Sequence, residues 1–230
     1  MEEMQQTVMK HYKMFAGLGF IIVVVAFIFS LQASEANAVF FSVDKATREA
    51  AAAGTNIVAA NVTRQSIPHW VPSLKFLGLG IMLGAITMAL GLIATTLREL
   101  GTGVMSNWPK ELNPGAPAKP RSAKMFPMLM MMGWMILLIG LIWALASNAT
   151  VTSYWSNSIA TVLNPAEAGS NLLRQLGVIQ GVKPWLTALR YAGMALIFTA
   201  ITVALTVIIR ALQHQEKGLR KFIQARSVAS

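Results

Sequence analysis

The side chains in this 230-residue chain whose type and spacing best suit chemistry are methionines. Met128/Met132 and Met131/Met135 form two pairs four residues apart, one helical turn, within a run that also holds Met125 and Met130. Soft thioethers at that spacing can hold Cu(I). Flexible apolar packing is the commoner use of methionine and is the reading adopted, with copper handling as a third alternative. No His or Cys cluster accompanies the pairs. The chain has no cysteine, which excludes thiolate nucleophiles, zinc–thiolate sites and cysteine-ligated iron–sulfur clusters. Its three histidines, His11, His69 and His214, all fall outside the apolar stretches where an intramembrane haem would need its ligands. The nine acidic residues do not cluster, and no Ser-His-Asp set, phosphate loop or HExxH motif is present. The expectation is a non-catalytic chain without a cofactor.

Four helices must position whatever this chain does. It is 55% hydrophobic and 12% charged, about half the charge of a soluble domain. Apolar stretches of about 20 residues are long enough to cross a bilayer. They run from about Met14 to Ser34, Phe76 to Leu97, Met125 to Ser147 and Tyr191 to Ile209, and none contains Asp, Glu, Lys, Arg or His. Backbone groups in lipid must be satisfied within the segment, so these are helices. Ala36-Asn37-Ala38 resembles a signal cleavage site, but the apolar run before it exceeds a usual signal core, and the first stretch is read as a retained helix.

Without an intramembrane acid or base, a pump or proton-coupled carrier is disfavoured. The polar residues at depth are Thr87, Thr199, Thr202 and Thr206. Each hydroxyl is expected to bond back to its own helix. The alternative, a weakly polar pore lined by Thr87, Thr202 and glycine backbone, makes an oligomeric channel or uncoupled transporter the second functional reading. Gly80 and Gly84 form a GxxxG motif, and small residues at this spacing let helices approach closely. Together with Thr87, and with Ala195, Thr199 and Thr202 in the fourth span, they are the predicted helix-packing face.

Positive charge sets direction across a membrane. Segments 1–13, 98–124 and 210–230 carry 12 Lys/Arg in 61 residues, and segments 35–75 and 148–190 carry 7 in 84. Both termini and the middle segment are therefore expected on the cytoplasmic side of a prokaryotic inner membrane. There the net charge of +10 meets anionic lipid, and nucleic acid is not needed to explain it. Trp70 and Trp185, with Lys75 and Arg190, precede the second and fourth spans and are read as interface anchors.

Self-comparison finds a repeat. Shifted by 115, residues 70–97 fall on 185–212 with ten identities in 28 positions, among them Trp70/Trp185, Gly78/Gly193, Ala85/Ala200 and Thr87/Thr202. Ala53-Gly54-Thr55-Asn56-Ile57 falls on Ala168-Gly169-Ser170-Asn171-Leu172, a pattern suited to a helix end or turn. The first and third spans align with a shift of 111, which pairs Lys13-Met14-Phe15 with Lys124-Met125-Phe126. The expected architecture is all-α. Two helix hairpins, 1–108 and 124–230, form a parallel tandem repeat, each with a long outer loop of about 40 residues. A basic, Pro-rich cytoplasmic linker, 109–123, joins them. In the first outer loop the Ala-rich residues 43–64 can form a helix lying on the membrane. Two glycosylation sequons, at Asn61 and Asn148, are frequent by chance and say nothing about function. The preferred functional reading is an accessory or structural membrane subunit, packed against other subunits or copies of itself and against lipid.

Overall fold

The computed structural model describes residues 10–106, 108, 122–165 and 171–228. Among them the chain is all-helical: α1 (Tyr12–Phe41), α2 (Lys45–Glu49), α3 (Asn56–Ser106), α4 (Ser122–Trp155), α5 (Ile159–Leu163) and α6 (Asn171–Val228). Four of these, α1, α3, α4 and α6, are long and apolar enough to cross a membrane. Most of the expected linker, residues 109–121 with Pro109, Pro114, Pro117 and Pro120, lies outside the described residues, as do Ala168, Gly169 and Ser170.

The connections between α1 and α3 and between α4 and α6 are shorter than the 40-residue outer loops expected from the sequence. Residues 35–41 continue α1 and residues 56–75 belong to α3, so only 42–55 connects the two. On the other side, 148–155 continue α4 and 171–190 belong to α6. The physical reason is apolar periodicity beyond the spans. Ala51, Val58, Ala60 and Ile159 bury against Phe40, and Ile67 and Val71 bury against Ala26 and Ala33. A helix that buries a stripe is stabilised by that packing, whatever its polar face meets.

Local chemistry starts each short helix. Asp44 caps α2, its carboxylate accepting from the Thr47 amide at 2.9 Å and the Thr47 hydroxyl at 2.7 Å. Ser158 caps α5 by accepting from the Thr161 amide at 3.3 Å. Each side chain satisfies an amide that the first helical turn leaves free. Gly54 takes φ +83°, a left-handed turn that suits glycine. The adjacent Thr55 hydroxyl then accepts from the Val58 amide at 3.4 Å. The Gly-x-Asn pattern thus marks the start of α3, not the end of a helix.

Buried positions recur every seventh residue in the long helices. They are Gly19, Ala26, Ala33 and Phe40 in α1, and Met130, Leu137, Ala144 and Val151 in α4. In α6 they are Ile179, Leu186, Gly193 and Ala200. A seven-residue repeat keeps one seam facing its neighbour, as in left-handed helix pairs.

The chain divides into two compact units whose boundaries fall inside the four long helices. One comprises Leu18–Gly80 and Trp134–Met194. In it α1 packs on α3, with Phe29 edge-on to Trp70 at 5.0 Å, and α4 packs on α6 through Val151, Tyr154 and Ile179. The two short helices meet where the Ile159 amide donates to the Ala51 carbonyl at 3.2 Å. The other unit comprises the described residues of 1–17, 81–133 and 195–230. In it Gln215 donates to the Leu97 carbonyl at 2.5 Å, and Trp108 stacks on Phe222 at 4.9 Å.

Candidate functional site

A polar cluster lies where α3, α4 and α6 meet in the first of these units. Three side chains of α3 point into it. Ser66 donates to Asn148 Oδ1 at 2.8 Å, and His69 Nε2 lies 2.7 Å from Ser147 Oγ. Ser73 accepts from Arg190 Nε at 2.9 Å. Arg190 Nη2 also donates to the His69 carbonyl at 3.2 Å. The Ser147 hydroxyl is 2.7 Å from the Trp143 carbonyl, so if it donates there it accepts from His69, and the His69 proton sits on Nε2. His69 and Ser73 are buried. A buried polar group left without a partner is costly, and here each is engaged across a helix contact. One helical seam farther along α3, the Trp134 indole donates to the Gly80 carbonyl at 2.8 Å.

These residues share a stripe. Ser66, Ser73, Gly80 and Thr87 stand seven apart on α3 and are small, which admits the polar groups of α4 and α6. Of these, the sequence singled out Gly80 and Thr87, as expected packing residues. Ser66, His69, Ser73, Trp134 and Ser147 were missed. The seven-residue recurrence of small residues was the available signal, since a neighbouring helix meets that spacing as one face.

The predicted packing residues divide. Gly80, Gly84 and Thr87 are buried, with the Thr87 hydroxyl bonded back to the Leu83 carbonyl at 3.1 Å. The residues 115 positions on, Ala195, Thr199 and Thr202, are exposed. Thr199 and Thr202 donate to the Ala195 and Phe198 carbonyls at 2.8 and 3.0 Å. Gly78, outside the motif, also meets a neighbour's backbone closely. A Cβ there would be 2.9 Å from the Gly19 carbonyl oxygen and 2.9 Å from a Val23 methyl.

The predicted anchors also divide. Trp185 is 71% exposed. Its counterpart Trp70 is half-buried against Phe29. Lys75 and Arg190 are both half-buried, and Arg190 is held by α3.

Met128, Met131, Met132 and Met135 are all exposed on α4. Among the described residues no group of three His, Cys, Asp or Glu side chains is placed to hold a metal. Asn61, the first sequon, is buried and accepts from Arg64 Nε at 2.8 Å. A concavity is lined by Thr150, Ser153, Arg174, Gln175 and two apolar residues. Within it Gln175 donates to Ser153 at 3.2 Å.

Comparison with protein-family models, with curated proteins and with solved structures gives no match.

Proposed function

We propose that this chain is a non-catalytic integral membrane subunit, built as two tandem helix hairpins and packed in life against another membrane subunit or a second copy of itself. One observation carries the reading. The small-residue face of α3, Gly80, Gly84 and Thr87, is buried within the chain, while the face at the same repeat positions of α6, Ala195, Thr199 and Thr202, is open. Lipid tails are as apolar as leucine, so small residues on a span gain most when another helix approaches them. α1 adds to this, since 11% of its most apolar stretch is buried against 39% for α3.

The tandem reading is supported by the element order, long helix, short helix, long helix, which occurs twice. The caps Asp44 and Ser158 stand 114 apart, and each accepts from the amide three residues on. Repeat-equivalent Phe76 and Tyr191 contact each other edge-on at 5.8 Å, as residues beside a twofold axis do.

The chain's lack of cysteine makes the test clean. Thr199→Cys in native membranes, treated with a bifunctional thiol-reactive or photoactivated reagent, is expected to cross-link to one defined species. Gentle extraction and native mass measurement should give a complex heavier than the 24.9 kDa chain. A monomer in both measurements would refute the proposal.

A further inference from the structure

Arg190 is half-buried and held by two neutral acceptors, the Ser73 hydroxyl and the His69 carbonyl. Among the described residues no carboxylate lies within ion-pair distance of it. A guanidinium has five N–H donors, and these two bonds leave its charge unanswered. Its surroundings do not answer it either. The described residues of its unit carry seven Lys/Arg against three Asp/Glu. Of those acids, Asp44 caps α2 and Glu49 pairs with Lys45 at 3.6 Å, while Glu35 lies exposed on α1. Lys183 precedes Arg190 by seven residues, about two helical turns, and stands on the same side of α6. The charges of both bear on the His69 ring. Arg190 directly precedes the apolar stretch of α6, and the flanking aromatics Trp185 and Tyr191 are strongly exposed. Exposed Trp and Tyr beside a span mark headgroup depth.

We infer that Arg190 and Lys183 form a binding site for a phosphate oxyanion at the membrane surface, supplied by the headgroup of an anionic lipid. Ser73 and the His69 carbonyl act as positioning groups. They engage the guanidinium through Nε and Nη2 and leave its other N–H groups for the fork that phosphate oxygens fit. The inference rests on the membrane placement of the chain and is independent of whether it assembles with a partner.

The test uses the full chain in nanodiscs of phosphatidylglycerol and phosphatidylcholine, with lipid retention read by native mass spectrometry after delipidation. A second arm titrates inorganic phosphate against the detergent-solubilised chain and follows the phosphorus resonance. Wild type is expected to retain phosphatidylglycerol over phosphatidylcholine. Arg190→Gln should lose this preference by about tenfold or more, and Lys183→Gln by roughly fivefold, the effect of one near-surface cation worth about 1 kcal/mol. Ser73→Ala keeps the charge but loosens it, and should fall between wild type and Arg190→Gln. Arg174→Gln, in the same unit but outside the cluster, should match wild type. Binding of inorganic phosphate that Arg190→Gln removes would support the oxyanion site and assign it to free phosphate instead of lipid. Equal retention by wild type, Arg190→Gln and Lys183→Gln, with no phosphate binding, would overturn it. If Arg190→Gln does not fold, the exposed Lys183 decides alone, and unchanged retention in Lys183→Gln overturns the site.

Discussion

Gly78 of α3 faces the carbonyl of Gly19 on α1, so closely that a Cβ on Gly78 would lie 2.9 Å from that oxygen. The obstruction is backbone, which cannot rotate away as a side chain would. Gly78→Ala is therefore expected to push the two helices apart and destabilise the hairpin by about 1–3 kcal/mol. A methyl group added at Gly177 would meet nothing within 4 Å, so Gly177→Ala should instead be neutral or stabilising by roughly 0.5–1 kcal/mol. Reversible unfolding in mixed micelles measures both. Equal effects at the two sites would show that the α1–α3 approach is not what holds Gly78.

The indole of Trp134 gives a second, chemically separate probe. Trp134→Phe keeps an aromatic ring but removes the N–H that reaches the Gly80 carbonyl at 2.8 Å. Hydrogen bonds between membrane helices average about 0.6 kcal/mol, so a loss of roughly 0.5–1.5 kcal/mol is expected. The same micelle unfolding assay reads it, and an unchanged stability would mean the bond is not made.

A pH dependence follows from Asp44. Hydrogen bonds from the Thr47 amide and hydroxyl hold its carboxyl below its ordinary pKa of 3.8. A depressed folded pKa contributes stability that is fully present above the unfolded value and is lost as pH falls through the folded one. The start of α2 should therefore loosen only below pH 3.8. The Thr47 amide resonance reports it. Asp44→Asn retains a capping side chain without the charge, and its Thr47 resonance should stay flat through that range. A titration identical in the two proteins would assign the transition to another group.

The methionine pairs make a discriminating case. Met128 and Met132 are exposed on α4, and replacing them with leucine keeps the volume and the apolar character. The double variant Met128→Leu/Met132→Leu should keep its stability within about 0.5 kcal/mol, as surface substitutions do. Copper content of the purified protein should equal that of wild type. A fall in bound copper with unchanged stability would favour the copper reading.

The spans were legible because nothing else explains four apolar stretches without a charge, and all four lie within long helices. The helix extensions beyond them were not. Residues 56–75 are too polar to read as membrane helix, and their stripe of Val58, Ile67 and Val71 becomes visible only once α1 is there to cover it. Gly80, Gly84 and Thr87 were expected on a packing face, and they are buried. The motif did not point to Gly78, because which glycine meets a neighbour's backbone depends on the rotation of α3 against α1. Arg190 was read as snorkelling to the interface, since a lone sequence contains no hint that Ser73, 117 residues away, would hold it.

By itself the amino-acid order determines what transfer free energy and local geometry control. That covers the apolar segments that must be helical in lipid, the caps at Asp44 and Ser158, and the left-handed turn at Gly54. These depend on residues within a turn or two of one another. Tertiary structure alone decided which of two faces with similar sequence is covered, and that Arg190 is held by Ser73. Segments 70–97 and 185–212 are similar in sequence and carry similar local preferences. What separates them is their neighbours, and burial is a property of neighbours. That is why Thr87 is buried and Thr202 is exposed.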